Sequence, residues 1–341
     1  MANYYYNTMV GKHLIEAYDM SDVLNFHKSI QSFSDFKMID IKPNVTIIDC
    51  SESLGLNSFK VFGVTYAFYK MMQKKFPEIC DYTSLIKNAS SCGVKVCTAS
   101  DGNFGVAVSH LCSKLKLECQ VYLPIDTPQF YVDKLKNANA EIKFIDGDYD
   151  KCIDKVLKNT VNDRCEVLLD TSISGIYENE FVENIMRGYL SVFSLIDKKY
   201  DYVFIPVGVG GLLSAAITYF KSNNYVQPVI ISVEPEKYNC VQESLKKKSR
   251  VSVFGGKTVI NGLMCGTVSA LAWNNIKLGT DIAMTLSDEE AEKGYNELKS
   301  LGVRTGYTGA TAYSGYLMFI DKYYIDSNKK ILIINSERSG V

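Results

Sequence analysis

Apolar and polar positions alternate along this chain in two rhythms. Short apolar runs at 45–49, 94–99, 118–123, 141–145, 166–169, 202–206, 228–233 and 330–335 predict strands. Between them, stretches with apolar residues three and four apart predict helices over 60–75, 103–115, 128–138, 149–159, 178–195, 211–221, 287–301 and 309–321. Ser287-Asp-Glu-Glu290 opens one of these as a capping box. From residue 94 onward strand and helix succeed one another without a break. That order predicts an α/β fold with parallel sheets covered by helices on both faces. Residues 1–45 are polar and aromatic, helical in character only over 21–32, and read as an N-terminal wrap. No repeat, low-complexity tract or long linker interrupts the alternation, so any division into domains is interwoven rather than sequential.

Three strand ends and one helix start carry unusual chemistry. In Ser51-Glu-Ser-Leu-Gly-Leu-Asn-Ser-Phe-Lys60, turn formers deliver one lysine to the start of a helix, with Asn57 or Ser58 as its N-cap. Phe59, Val61 and Phe62 hem in Lys60, and burial lowers the pKa of an amine and makes it a nucleophile toward an aldehyde. Thr98-Ala-Ser-Asp-Gly-Asn-Phe-Gly105 follows a strand with hydroxyls, a carboxylate (Asp101) and an amide (Asn103). Pro206-Val-Gly-Val-Gly-Gly-Leu212 lets backbone N–H groups converge on an anion at a helix N-terminus. It is not the dinucleotide fingerprint, because Leu213 stands where the third glycine belongs, and no Lys-Ser/Thr follows to make a P-loop. After the last strand, Asn335 and Ser336 offer neutral hydrogen-bonding groups. An amine, a cradle for one phosphate and polar partners for a ring, all at strand ends, point to pyridoxal 5′-phosphate (PLP).

Composition narrows the alternatives. With 47% hydrophobic and 22% charged residues over 341 positions, the chain is ordinary for a globular protein. A net charge of -1 gives no electrostatic case for nucleic acid or an anionic membrane. No apolar run reaches the ~18 residues of a spanning helix, and no signal peptide is visible, so a cytoplasmic location is expected. The 10 cysteines form no Cys-x-x-Cys and read as reduced core residues without zinc-ligand spacing. His110 lies mid-helix among Val108, Leu111 and Leu115, and reads as structural rather than as part of a Ser-His-Asp triad.

These motifs resemble the fold-type-II PLP enzymes related to the tryptophan synthase β subunit, and within them the diaminopropionate ammonia-lyases. The resemblance rests on Gly55-Leu-Asn-Ser-Phe-Lys60, Ser100-Asp-Gly-Asn-Phe-Gly105, Asp170-Thr with Gly175-Ile-Tyr177 and Met186-Arg-Gly188-Tyr189, and Thr258-Val-Ile-Asn-Gly-Leu-Met-Cys-Gly266 with Ser269 and Trp273. It spans roughly residues 45 to 337.

The resemblance implies a large PLP-binding domain of 1–92 and 190–341 around a smaller mobile domain of 93–189, in a homodimer. It implies that Lys60 holds PLP as a Schiff base and Asn103 bonds the ring oxygen. Gly208, Val209, Gly210, Gly211 and Leu212 hold the phosphate, and Asn335 or Ser336 faces the pyridine nitrogen. Asp101 and Asp170 are the acid/base groups beside Lys60. The implied activity is α,β-elimination from 2,3-diaminopropionate or another small β-substituted amino acid, giving pyruvate and ammonia. β-Replacement, a dehydratase- or racemase-like reaction, and PLP binding without catalysis are the alternatives. Three positions depart from the family pattern: Phe104 replaces a histidine, Tyr307 a glutamate and Arg338 a glycine.

Overall fold

The structure, a computed structural model, describes residues 3–10, 15–31, 33, 36–100, 102–159, 165–177, 179–222 and 227–338. Strand β1 (Asn3–Tyr6), helix α1 (Ser21–Lys28), β2 (Lys37–Lys42) and β3 (Val45–Asp49) lead into α2 (Lys60–Lys75) and α3 (Tyr82–Ala89). There follow β4 (Lys95–Ala99), α4 (Asn103–Leu115), β5 (Glu118–Pro124), α5 (Gln129–Asn137), β6 (Glu141–Ile145), α6 (Tyr149–Asn159) and β7 (Cys165–Val167). Then come α7 (Glu180–Tyr189), β8 (Tyr202–Pro206), α8 (Gly211–Lys221), β9 (Val229–Pro235) and α9 (Cys240–Lys247). The last elements are α10 (Ala270–Gly279), β10 (Ile282–Leu286), α11 (Asp288–Ser300), α12 (Tyr307–Lys322) and β11 (Ile331–Asn335).

The strands form two sheets. A four-stranded sheet of order β6-β5-β4-β7 is parallel throughout. A seven-stranded sheet of order β1-β10-β9-β8-β11-β3-β2 has a parallel centre and one antiparallel strand at each edge. The large sheet therefore takes strands from both ends of the chain, and the small one lies wholly between them. Its central strands are apolar on both faces, as parallel strands covered by helices must be. In β11, Ile333 joins a core with Tyr313 and Leu317 of α12 on one face. Leu332 and Ile334, pointing the other way, join the core of α2, α7 and α8.

The expected wrap over 1–45 is corrected: β1 and β2 are the edge strands of the large sheet. The half-exposed Lys-Met-Ile-Asp-Ile-Lys of β2 lacks the apolar run that marks the buried strands. Helices α3, α9 and α10 and strand β10 also lie outside the sequence-based elements. The helix expected over 178–195 ends at Tyr189 and continues as a tight 3-10 turn, Leu190–Phe193. The cysteine reading is corrected at two positions. Cys97 on β4 and Cys165 on β7 are joined as a disulfide, their Cα atoms 6.2 Å apart. They are 68 residues apart in sequence and become neighbours only because β4 and β7 pair.

Two close approaches fix the start of α2. A Cβ on Gly188 would lie 2.6 Å from the Phe62 carbonyl oxygen, and one on Gly63 2.4 Å from Tyr189. Helices α2 and α7 thus cross backbone to backbone directly behind Lys60. Beneath the crossing, His27 is fully buried, its Nδ1 2.7 Å from Ser191 Oγ and its Nε2 3.0 Å from the Phe62 carbonyl. Burial pushes its pKa down from 6.5 to about 3, against the pull of that carbonyl. The unfolded chain therefore takes up a proton as pH falls through 6.5 while the folded one does not. Stability is full above 6.5 and is lost progressively toward 3, by about 2 kcal/mol at pH 5. Thermal melts of His27→Gln between pH 7 and 5 are expected to show a shallower slope than the unsubstituted protein.

Candidate active site

The site lies where β3, β4, β7, β8 and β11 end. Lys60 is the first residue of α2; Phe59 occupies the cap position without a side-chain cap bond, and Ser58 Oγ accepts the Lys60 N–H at 3.3 Å. The Lys60 side chain is 21% exposed, and its Nζ donates to Asp170 Oδ2 at 2.6 Å. Asp170, 8% exposed, follows β7 and accepts a second bond at Oδ1 from the Tyr149 hydroxyl at 2.7 Å. The Phe59 and Phe104 rings flank the amine at 5.4 and 5.9 Å. The expectation that burial lowers the Lys60 pKa is corrected. Burial does pull it down, but the Asp170 charge and hydrogen bond outweigh that and hold the ammonium form well above the ordinary lysine range.

Facing the amine, Gly208, Val209, Gly210, Gly211 and Leu212 line the same cavity. Helix α8 starts at Gly211 with no side-chain cap, so its first-turn N–H groups, which a helix cannot pair internally, open onto this space. Gly210 sits at φ 98°, where a side chain strains the backbone. A Cβ there would also lie 2.4 Å from Ile276. Its glycine thus answers to packing as well as to an approaching anion. Gly210→Val is expected to lower the melting temperature of the apo protein along with ligand affinity. Gly211→Ala, whose Cβ would lie 3.3 Å from Tyr189, is expected to leave melting nearly unchanged; calorimetry of both variants checks this.

Asn103, at the first turn of α4, and Ser336, after β11, also line the cavity. Asn103 Nδ2 donates to Glu337 Oε2 at 3.2 Å, and Glu337 Oε1 accepts from the Gly309 N–H at 3.1 Å. Asn335 is engaged elsewhere: its amide donates to Asp49 and the Arg304 carbonyl, and its oxygen accepts from Thr305. Asp101 lies outside the described residues. Of the three departures, only Phe104 lines the cavity. Tyr307 packs on Tyr295, and Arg338 pairs with Glu52, as Arg304 does.

Sequence reading missed Tyr149, Glu337 and Tyr189, all of which line the cavity. Tyr149 is the first residue of an amphipathic helix, where an aromatic reads as core. Glu337 stands in the terminal motif already singled out, and its carboxylate was the available signal. The buried Tyr189 hydroxyl has no partner among the described residues.

A buried amine held by a carboxylate, across from an uncapped glycine helix start, defines an α/β enzyme class that binds a phosphorylated carbonyl cofactor on lysine. The residues fit PLP in particular, with an amine for the aldehyde, a phosphate cradle, and an amide and a hydroxyl for the ring. Residues 51–337 match the sequence profile of the pyridoxal-phosphate dependent enzymes, and the chain belongs to that family. Diaminopropionate ammonia-lyase of Escherichia coli K12 is 27% identical over 268 residues, which cover 74% of this chain and 66% of that relative. Biosynthetic L-threonine dehydratase IlvA of Staphylococcus epidermidis is 29% identical over 150 residues, covering 43% and 35%. The fold matches a crystal structure of the E. coli ammonia-lyase in complex with an aminoacrylate-PLP azomethine reaction intermediate. That match has a TM-score of 0.87 and 20% identity, and covers 99% of this chain and 94% of that one. The expected α/β fold with parallel sheets is thus the fold of this family.

Proposed function

We propose that this protein is a PLP-dependent ammonia-lyase. Its substrate would be 2,3-diaminopropionate or a closely related β-substituted amino acid, and its products pyruvate and ammonia. The observation that carries the reading is the Lys60–Asp170 pair, 2.6 Å across, facing the glycine start of α8. When bound, PLP stabilises negative charge at the substrate Cα as the β-group leaves. Lys60 would hold the cofactor through its amine and, as the neutral amine, would take the proton from Cα. Asp170 orients the amine as its acid/base partner, and Tyr149 keeps Asp170 in place. The N–H groups at the start of α8 hold the phosphate, Asn103 meets the ring oxygen, and Ser336 rather than the fully engaged Asn335 meets the ring nitrogen. A neutral hydroxyl there leaves the ring a weak electron sink, which suits elimination, where the leaving group drains the charge. Asp101, which follows β4 in sequence, is the second acid/base group.

The units 1–92 with 190–341 and 93–189 are the proposed domains, each built on one of the two sheets. A homodimer rests on the resemblance and is tested by light scattering of the purified protein; a cytoplasmic location is tested by fractionation. The activity is tested by incubating the protein with D- and L-forms of 2,3-diaminopropionate, serine and threonine and assaying pyruvate or the matching keto acid together with ammonia. Release from diaminopropionate above all others is the expected result. Release from serine or threonine alone would make it a dehydratase, and release from none would leave PLP binding without elimination.

A further inference from the structure

Behind Tyr149 lies a second cavity of about 230 Å³, separated from the lysine cavity by Tyr149, Val209 and Cys265, which line both. At ~30 Å³ per water-sized group it has room for about seven to eight heavy atoms. Charges of both signs, the carboxylates of Asp150 and Asp154 and the guanidinium of Arg250, line it without meeting. Asp150, in the first turn of α6, makes no hydrogen bond or ion pair among the described residues. Arg250, also in the lining, donates to the Val268 carbonyl at 3.1 Å and to Ser174 Oγ at 2.6 Å, and pairs with no carboxylate among the described residues. A half-buried carboxylate and guanidinium in one cavity ordinarily pair with each other; here a gap is kept between them. Thr171, only 6% exposed, also lines this cavity, and its hydroxyl has no hydrogen-bond partner among the described residues.

We propose that this second cavity binds a small α-amino acid as its zwitterion, with Arg250 taking the carboxylate, Asp150 the ammonium, and Thr171 a further oxygen or nitrogen. Guanidinium and carboxylate are the natural partners of those two groups. A ligand of about seven heavy atoms is the size of serine or 2,3-diaminopropionate. The site is distinct from the lysine, which it does not touch. It is nevertheless coupled to it, because the shared wall residue Tyr149 holds Asp170. The zwitterion has two sources: substrate on its way to the lysine, or a separate amino acid acting as an effector.

Glycine is the probe, because it has no β-carbon to eliminate. Lys60→Ala, dialysed free of PLP, is the background, so that neither the lysine nor the cofactor aldehyde can take up glycine and failure of the PLP reading leaves this test intact. Saturable glycine binding by calorimetry is expected. Acetate and glycinamide, each lacking one charge, are expected to bind at least tenfold more weakly. Adding Arg250→Gln or Asp150→Asn is expected to weaken glycine binding by tenfold or more, with unchanged melting temperature. If Arg250→Gln does not fold, Arg250→Lys carries the test with a smaller loss. Absence of saturable glycine binding to Lys60→Ala, or binding indifferent to both charge substitutions, would overturn the proposal. In the unsubstituted enzyme, glycine raising KM alone marks the cavity as a path for substrate, and glycine changing kcat through Arg250 marks it as an effector site.

Discussion

Lys60→Ala is expected to bring elimination down by on the order of 10⁴- to 10⁶-fold, the scale on which removing a covalent nucleophile acts. The same variant is expected to lose its covalent attachment to PLP while keeping its fold. Lys60 is on the first turn of α2, and the crossing at Gly63 and Gly188 holds the helix. A melting temperature within a few degrees of the unsubstituted protein, together with the kinetic loss, separates a missing reactive group from a damaged helix. PLP is expected still to associate, since the N–H groups at the start of α8 are untouched. That residual binding should be reversible on dialysis, in contrast to the unsubstituted enzyme.

Asp170→Asn is the second large effect. Asp170 accepts from both Lys60 and Tyr149, and its charge overcomes the burial that would otherwise pull the Lys60 pKa down. An asparagine of the same shape keeps a hydrogen bond and removes the charge. The amine is then governed by burial, and its pKa falls toward or below the ordinary lysine value. The rate is expected to drop by about 10²- to 10⁴-fold, as for loss of a positioned proton-transfer group. The pH profile of kcat is expected to shift to lower pH on the side governed by the amine. Asp101→Asn is its companion. If Asp101 works on the substrate face opposite Lys60, its loss lowers turnover of one enantiomer of diaminopropionate by about 10²-fold and spares the other. Loss of a mere helix cap would cost about 1 kcal/mol of stability and treat both enantiomers alike. Full turnover of both enantiomers by both variants would remove these carboxylates from the chemistry.

The strands that carry the site were legible because parallel strands buried on both faces write themselves as unbroken apolar runs, as in Val45–Asp49 and Ile331–Asn335. The helices beginning at Lys60, Asn103 and Gly211 were legible from their periodicity. The edges were not, since a strand such as β2, half exposed and paired on one side only, has no such run. The lysine and the glycine loop announce themselves by residue type. What sequence could not give was the state of the lysine: its partner lies 110 residues away, and only the meeting of β7 with the start of α2 turns a lowered pKa into a raised one. The same holds for Glu337, whose two oxygens join Asn103 of α4 to the first turn of α12. Tyr307 and Arg338, which differ from the family pattern in sequence, turn out to pack and pair away from the cavity. The departures therefore bear on the site chiefly through Phe104, whose ring flanks the amine where a histidine could have exchanged a proton.

The most direct test of the central claim is to reduce the PLP-loaded protein with borohydride, digest it and map the pyridoxyl group by mass spectrometry. The expected result is a single adduct on the peptide bearing Lys60, absent from Lys60→Ala. Failure to take up PLP at all, or an adduct on another lysine such as the buried Lys221 that pairs with Asp281, would contradict it.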